Sequence, residues 1–191
     1  MDSFLSREIL DSISVKEKLT KDEIYINQCF QAISKKILRQ GKILVFGNGG
    51  SASDAQHLAA ELIGKFRKHR EPIPAISLTA NTSNLTAISN DYSFEHVFSR
   101  QVMGLATKND IVIGISTSGK SLNVINGLKA AKKIGALTVV FTGKGGKKLE
   151  SLADFCIIIP SYDTQRIQEC HILLIHMLCG VLEISLENKK K

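Results

Sequence analysis

His57 and Glu61 are four positions apart in the sequence and follow a glycine-rich segment. On a helix this spacing puts both side chains on one face, where they can reach one metal ion or one substrate. An imidazole and a carboxylate can also transfer protons as an acid and a base. Surface ion pairs often have the same spacing, but the adjacent glycine-rich segment favours a functional role for this pair.

The glycine-rich segment, GNGGSAS at residues 47–53, is predicted to join the end of a strand to the start of a helix. Its glycines let the backbone approach a ligand closely and adopt positive φ angles. Free N–H groups at a helix start, together with the helix dipole, attract an anion such as phosphate. Ser51 and Ser53 are candidate N-caps, and Ser53 with Gln56 matches a capping box.

A second segment, GISTSGKS at residues 114–121, also ends an apolar stretch and precedes a helical pattern. Its hydroxyl groups can contact several phosphate oxygens without a metal ion. These hydroxyls belong to Ser116, Thr117, Ser118 and Ser121. We expect the two segments to lie at the same edge of a parallel sheet, because ligands bind at the carboxyl ends of its strands.

Two nucleotide-binding motifs compete with this interpretation. GNGGSA loosely matches a dinucleotide fingerprint, but the next predicted strand, 75–78, ends without the acidic residue that would bind a ribose. Residues 114–121 match a P-loop, but Gly114 lies inside a predicted strand and no later strand ends in a metal-binding aspartate. We therefore disfavour both an NAD-binding protein and an NTPase.

Polar residues interrupt the apolar pattern of the last predicted helix, 163–189, at Gln168, His171 and His176. A lone helix histidine is usually a core or interface residue. Gln168 and His176 are eight residues apart, about 12 Å along a helix. They converge on one ion only if their side chains reach toward each other, so these residues alone do not assign a metal site.

Composition restricts the class of protein. The net charge of +7 suits an anionic partner, but an aromatic content of 6% without tryptophan does not indicate nucleic-acid binding. A phosphorylated small molecule fits the charge. The four cysteines form no CxxC motif, so we expect reduced, mostly buried thiols in a cytoplasmic protein. No run of about 18 apolar residues predicts a membrane span, and the charged N-terminus does not resemble a signal peptide.

The elements that position these residues alternate between strand and helix, which predicts an α/β fold with a parallel sheet in a single domain, 1–191. Five strands are predicted at 42–46, 75–78, 110–116, 137–143 and 154–159. Helices are predicted at 4–19, 21–39, 81–104 with a break at Asn90-Asp91, 121–135, 147–153 and 163–189, besides the helix that carries His57. We expect the N-terminal helical segment, 1–40, to pack on the domain or on a neighbouring subunit.

Four motifs together resemble the phosphoheptose isomerases, the sedoheptulose 7-phosphate isomerase branch of the sugar isomerase (SIS) domain superfamily. The motifs are GNGGSASDAQHLAAEL, SNDYSFEHVFSRQV, GISTSGKS and TQRIQECHILLIHMLC, and the similarity covers nearly the whole chain. The resemblance implies a three-layer α/β/α sandwich. It also implies a cytoplasmic homotetramer whose active sites lie between subunits and whose product serves bacterial surface polysaccharides, either lipopolysaccharide or capsule.

The resemblance also implies residue roles. It implies one zinc ion per subunit, with the ligands His57, Glu61, Gln168 and His176. Implied substrate-binding residues are Asn48, Gly49, Gly50, Ser51, Glu61, Asn90, Asp91, Ser116, Thr117, Ser118, Ser121 and Gln168.

Aldose–ketose isomerisation needs a base beside the carbonyl and an acid at the neighbouring oxygen. We predict Glu61 as the base and His176 as the acid, acting through a cis-enediol. A zinc ligand cannot freely act as a base at the same instant, so the two roles of Glu61 compete. The alternative function is a non-catalytic SIS-domain sugar-phosphate sensor or an adaptor that binds a replication initiator. A sensor needs only the phosphate loops, and this chain also carries the reactive set.

Overall fold

The computed structural model describes residues 3–189 and contains one five-stranded sheet in which all neighbouring strands are parallel. The strand order is β2-β1-β3-β4-β5. The strands are β1 (Ile43–Gly47), β2 (Ala75–Ser77), β3 (Ile111–Ser116), β4 (Leu137–Gly143) and β5 (Phe155–Ile159). The predicted α/β class and the five parallel strands are confirmed, and each predicted strand boundary lies within one residue of the observed one.

Seven α-helices flank the sheet within the described residues. They are α1 (Phe4–Leu19), α2 (Glu23–Leu38), α3 (Gly50–Ile63), α4 (Thr82–Asp91), α5 (Val97–Leu105), α6 (Leu122–Ile134) and α7 (Thr164–Lys189). Short 3₁₀ segments lie at Thr20–Asp22, Phe94–His96 and Lys144–Ser151. The helix break predicted at Asn90-Asp91 comes just after this pair. Helix α4 continues through Asp91, and Tyr92 is its C-cap.

Alternate residues of each central strand face opposite layers, as the period of two requires. Ile43 and Val45 of β1 join one core with α1, α2, α3 and α7, while Leu44 and Phe46 join a second core with α5 and α6. Every residue of β1 is buried, which explains the continuous apolar run of a strand covered on both faces. Helices α3 and α7, which carry the predicted reactive residues, therefore lie on the same face of the sheet.

Helix α7 is long and apolar enough to cross a membrane by length and composition, with a mean hydropathy of 1.6 over its most apolar window. The sequence predicted no membrane-spanning segment, because it contains no run of about 18 apolar residues. Leu174, Leu178 and Cys179 of this helix are fully buried in the first core, and the helix also buries Arg166 and Glu183. This packing is that of a central core helix.

The four cysteines are all free and buried, as predicted. Burial raises the pKa of the Cys29 thiol to about 12, and it raises the pKa of Cys179 to about 12 as well. Because the thiolate is the reactive form, burial disfavours reaction at these thiols.

An ion pair with a buried carboxylate and a partly exposed lysine joins the amino ends of two neighbouring strands, at the edge of the sheet opposite the loops. The Asp110 carboxylate, before β3, accepts hydrogen bonds from the Lys42 backbone N–H at 3.0 Å and from Lys42 Nζ at 2.7 Å. Thr107 donates to it from its N–H and its hydroxyl. Burial alone would raise the pKa of Asp110, but the hydrogen bonds from Lys42 and Thr107 outweigh burial and lower it.

Asp110→Asn is expected to lower the free energy of unfolding at pH 7 by about 2 kcal/mol, because hydrogen bonds to a charged group are lost. The folded-state pKa lies below that of the unfolded chain. The stabilisation is therefore fully present above the ordinary aspartate pKa of about 3.9 and is lost as the pH falls through the folded value. Urea unfolding at pH 7 and at several acid pH values tests this. An Asp110→Asn difference that stays constant down to the acid limit would contradict it.

Candidate active site

The two loops predicted to bind phosphate lie side by side at the carboxyl ends of β1 and β3. The two strands are direct neighbours, with Gly47 paired to Ile115. The chain leaves β1 toward β2 on one side and later returns to β3 on the other. The loops therefore flank the topological switch point, where open parallel sheets bind ligands. The expectation that both loops share one edge of the sheet is confirmed.

The first loop ends at Gly49, which has a φ of 57° and acts as the N-cap of α3. The capping prediction was wrong, because α3 begins at Gly50 and has no side-chain cap. Ser51 is instead a buried residue inside the first turn, and Gln56 donates toward the Thr79 hydroxyl rather than closing a capping box. The Ser51 N–H donates to the Asn48 carbonyl and the Ala52 N–H to the Gly49 carbonyl, each at 3.0 Å. Among the described residues, the N–H groups left for an anion at this helix start are therefore those of Gly49 and Gly50.

Asn48 is held by Asn123, a residue that the sequence analysis did not select. The two side-chain amides form reciprocal hydrogen bonds, each of 2.9 Å, and Asn123 Oδ1 also accepts from the Val124 N–H. Asn123 lies in the first turn of α6 and is 3% exposed. The pair therefore fixes the first loop to the helix that follows the second loop. A buried asparagine directly after a hydroxyl-rich loop is the signal that could have identified it.

The second loop folds back on itself. Ser116 is buried and its hydroxyl donates to the Ser121 hydroxyl at 3.3 Å, while the Lys120 N–H donates to Ser118 Oγ at 3.2 Å. Ser121 is the N-cap of α6 but makes no side-chain cap. The four predicted hydroxyls thus lie in one loop at a helix start. Gly114 is buried within β3 against Val124 and Leu128, which is inconsistent with a P-loop glycine.

His57, Glu61 and His176 form a cluster between α3 and α7. The Nε2 atoms of His57 and His176 are 3.1 Å apart, and His57 Nε2 is 3.4 Å from Glu61 Oε1. The His57 side chain is 42% exposed and the Glu61 side chain 24%. The Phe66 ring stacks on His176 with centroids 5.6 Å apart. The predicted base Glu61 and the predicted acid His176 therefore each contact the partly exposed His57.

The Gln168 side chain lies against Gly50, at the start of α3. A Cβ atom added at Gly50 would overlap Gln168 Nε2, so only glycine leaves room for this amide over the first turn of α3. Gln168 can therefore reach a ligand held at the N–H groups of that turn. The structure gives no hydrogen bond between Gln168 and His57, Glu61 or His176 among the described residues.

Gly50→Ala is expected to push the Gln168 amide away from the loop and to lower kcat/KM by about tenfold, the equivalent of one hydrogen bond to a ligand. Stability should change little, since the overlapping atom is the end of a flexible side chain. Steady-state kinetics and thermal unfolding test this together. Gly180→Ala in α7 is the matched control, because a Cβ there has no neighbour within 4 Å. Equal kinetics for both variants would contradict the prediction.

The donor set fits a zinc ion in chemistry, because imidazole nitrogen and carboxylate oxygen are zinc ligands. The His57–His176 and His57–Glu61 separations are close to the roughly 3.3 Å expected between ligand atoms of a tetrahedral zinc site. Within residues 3–189, however, no group of three or more His, Cys, Asp or Glu side chains is already arranged around one point. The assignment of His57, Glu61, Gln168 and His176 to zinc remains a prediction.

Asn90 and Asp91 lie apart from this cluster, at the exposed end of α4. Asn90 Nδ2 donates to Asp91 Oδ1 at 3.0 Å. In the part of the chain that the structure describes, no hydrogen bond links this pair to the loops or to the histidines. Their predicted contact with substrate stays a prediction.

Two further titratable residues near the site have unusual environments. Asp54 precedes His57 by one turn of α3, and its Oδ2 is buried without a hydrogen-bond partner among residues 3–189. Burial raises the pKa of Asp54 to about 6, partly opposed by His57. His171 is fully buried against Phe141, and burial lowers its pKa to about 4. It is therefore a neutral core residue rather than a member of the cluster.

Comparison with known proteins identifies the family to which this architecture belongs. Residues 8–143 match the family model of the SIS domain. The chain is 54% identical over 173 residues to the phosphoheptose isomerase of Aquifex aeolicus, covering 89% of this chain and 91% of that protein. It is 46% identical to the phosphoheptose isomerase of Clostridium acetobutylicum, covering 100% of this chain and 98% of that one.

A solved structure agrees with the sequence comparison. The phosphoheptose isomerase of Neisseria gonorrhoeae superposes with a TM-score of 0.88 at 41% identity. The match covers 94% of this chain and 96% of that one. Similarity of this extent spans the sheet, both loops and α7.

Proposed function

Since the chain belongs to the phosphoheptose isomerase family of SIS-domain proteins, we infer that it is an aldose–ketose isomerase that converts sedoheptulose 7-phosphate to D-glycero-D-manno-heptose 7-phosphate. The observation that carries this inference is the 54% identity over 89% of the chain. The cluster of His57, Glu61 and His176 supports it, because it supplies an acid and a base on α7 and on the helix that begins at the first loop.

The loops have the chemistry to hold the phosphate end of the substrate. The start of α3 has no side-chain cap, and the second loop offers hydroxyls and the start of α6. Both helix dipoles favour a dianion at this edge of the sheet. We propose that Asn48, Gly49, Gly50 and Ser51 act with Ser116, Thr117, Ser118 and Ser121 in binding the sugar phosphate.

Glu61 is the proposed base. Isomerisation moves one proton from C1 to C2 and one from the C1 hydroxyl to the C2 oxygen, so the substrate and product have the same composition. Glu61 removes the C1 proton while His176 donates to the C2 oxygen, which gives the cis-enediol. Return of the proton from Glu61 to C2, with loss of the C1 hydroxyl proton to His176, completes the reaction. Gln168, which lies over the first turn of α3, is proposed to orient the substrate hydroxyls.

A zinc ion would be held by His57, Glu61, Gln168 and His176, and when bound it would polarise the substrate oxygens. The fit of the donor types supports this proposal. Asn90 and Asp91 are proposed to contact substrate, and their exposed position suits contact with the site of a neighbouring subunit.

Assembly into a homotetramer is supported by an apolar face on α1. Phe4, Leu5, Ile9, Leu10 and Ile13 are between 46% and 70% exposed. An exposed set of this kind on one helix is typical of a subunit interface. We propose a single SIS domain, 1–191, with residues 1–40 contributing to that interface, in a cytoplasmic enzyme that serves the synthesis of lipopolysaccharide or capsule.

The alternative is a sugar-phosphate sensor or replication-initiator-binding adaptor of the same fold. A sensor would need the two loops but not an adjacent His57, Glu61 and His176. The test is isomerisation of sedoheptulose 7-phosphate by the purified protein, before and after treatment with a chelator and zinc. Turnover establishes the isomerase. Binding of the sugar phosphate without turnover under any metal condition would establish the alternative.

A further inference from the structure

We propose that Arg70 is a positioning residue that fixes the last turn of α3, and with it Glu61, relative to α7. Arg70 lies in the segment between α3 and β2, which the sequence analysis left without a function. The inference rests on the proposed function for the role of Glu61. It adds a residue, outside the reactive cluster, on which the geometry of that cluster depends.

The Arg70 guanidinium caps the carboxyl end of α3. Its Nη2 donates to the Glu61 carbonyl and its Nη1 to the Leu62 carbonyl, both at 2.8 Å. Carbonyls in the last turn of a helix have no donor within the helix, and a cation there also interacts favourably with the helix dipole. Arg70 therefore holds the backbone of Glu61 itself.

The same guanidinium is bonded to α7. Arg70 Nε donates to Glu183 Oε1 at 3.2 Å, and the two side chains are only 8% and 3% exposed. The N–H groups of Arg67 and Lys68 also donate to the Glu183 carboxylate, each at 3.3 Å. Glu183 is thus fully engaged by the segment that follows α3.

Glu183 and His176 lie on the same face of α7, because seven residues make about two helical turns, or roughly 10.5 Å. One helix thus carries the proposed acid and, two turns later, the anchor for Arg70. The other helix carries the proposed base at the turn that Arg70 caps. The relative position of acid and base therefore depends on a guanidinium that bonds both helices at once.

Only a planar guanidinium group can make this set of contacts. Arginine presents five N–H donors in a fixed plane, whereas a lysine ammonium is a single point that cannot span two carbonyls and a carboxylate. Arg70→Lys keeps the positive charge but should lose the alignment of the last turn of α3 with α7. Because displacement of about 1 Å costs up to a hundredfold in rate, a loose α3 terminus should lower kcat. Substrate affinity should not change, since the first phosphate loop lies at the amino end of α3 and Arg70 caps its carboxyl end.

The experiment compares Arg70→Lys, Glu183→Gln and Lys42→Met with the wild type in steady-state kinetics, each well below its own Tm. Lys42 is the matched control because its 2.7 Å ion pair with buried Asp110 joins the amino ends of β1 and β3 and does not involve the side chains of α3 or α7. We expect Arg70→Lys and Glu183→Gln to lower kcat at least tenfold with KM within twofold. Lys42→Met should lower Tm but keep kcat within twofold.

These measurements distinguish a positioning role of Arg70 from a general effect on protein stability. A kcat within twofold of wild type in Arg70→Lys, or an equal loss of kcat in Lys42→Met, overturns the proposal. If the wild type shows no turnover, the proposed function fails, and hydrogen exchange decides the positioning claim. Faster exchange in residues 58–64 of Arg70→Lys, with the sheet unchanged, supports it, and unchanged exchange there overturns it.

Discussion

Glu61→Gln is expected to lower kcat for sedoheptulose 7-phosphate by about 10³-fold, within the usual range for loss of a general base. Glutamine preserves the size of the side chain but cannot accept the C1 proton. The Glu61 side chain is partly exposed and contacts His57 at 3.4 Å, so the substitution leaves no buried charge unpaired. Stability should therefore stay close to that of the wild type, and the loss should appear in kcat more than in KM.

Two further measurements on Glu61→Gln separate its competing roles. If Glu61 acts as the base, the variant keeps its zinc content and no longer exchanges the C1 proton with deuterated water. If Glu61 acts mainly as a ligand, zinc content falls as well. The control is Glu187→Gln, an exposed carboxylate paired with Lys68 on the surface of α7, which should leave kcat unchanged. A kcat for Glu61→Gln within tenfold of the wild type would refute its assignment as base.

Gly119→Ala is expected to have the largest effect on substrate binding. Gly119 has a φ of 64° in the hydroxyl-rich loop, and a Cβ there would overlap the Cα of Gly146. The left-handed conformation alone costs about 1–2 kcal/mol for a residue other than glycine. The overlap is with backbone, so the loop must also move away from residues 144–151. We expect KM to rise at least tenfold, the loss of about one charge-assisted hydrogen bond to phosphate.

The same substitution should lower Tm by about 4–8 °C if the total cost is about 2 kcal/mol. Gly104→Ala in α5 is the matched control, because a Cβ at Gly104 has no neighbour within 4 Å and alanine favours a helix. Gly104→Ala should keep KM and raise Tm slightly. Steady-state kinetics with sedoheptulose 7-phosphate and thermal unfolding measure the two effects. An unchanged KM in Gly119→Ala would show that the loop does not hold the phosphate.

The strands and the order of elements were predictable because their signals are local. A continuous apolar run such as residues 43–46 predicts a strand buried on both faces. The helix predicted to end at Gly135 does so, and Gly135 has the left-handed conformation that is common for a glycine at a helix end. The same logic failed at the start of α3. Ser51 and Ser53 have the side chains of N-caps, but the chain turns earlier, at Gly49, and backbone carbonyls of Asn48 and Gly49 accept from the first turn instead.

The sequence by itself determined the fold class, the two loops and the pair His57 and Glu61, because each depends on residue types a few positions apart. Only the tertiary structure decided that His176 lies 3.1 Å from His57, although 119 residues separate them. It also decided that Asn123 holds Asn48 and that Arg70 joins α3 to α7 through Glu183. These contacts depend on how α3, α6 and α7 pack on one sheet. That packing is fixed by the combined burial of many apolar side chains, and no short pattern in the chain encodes it.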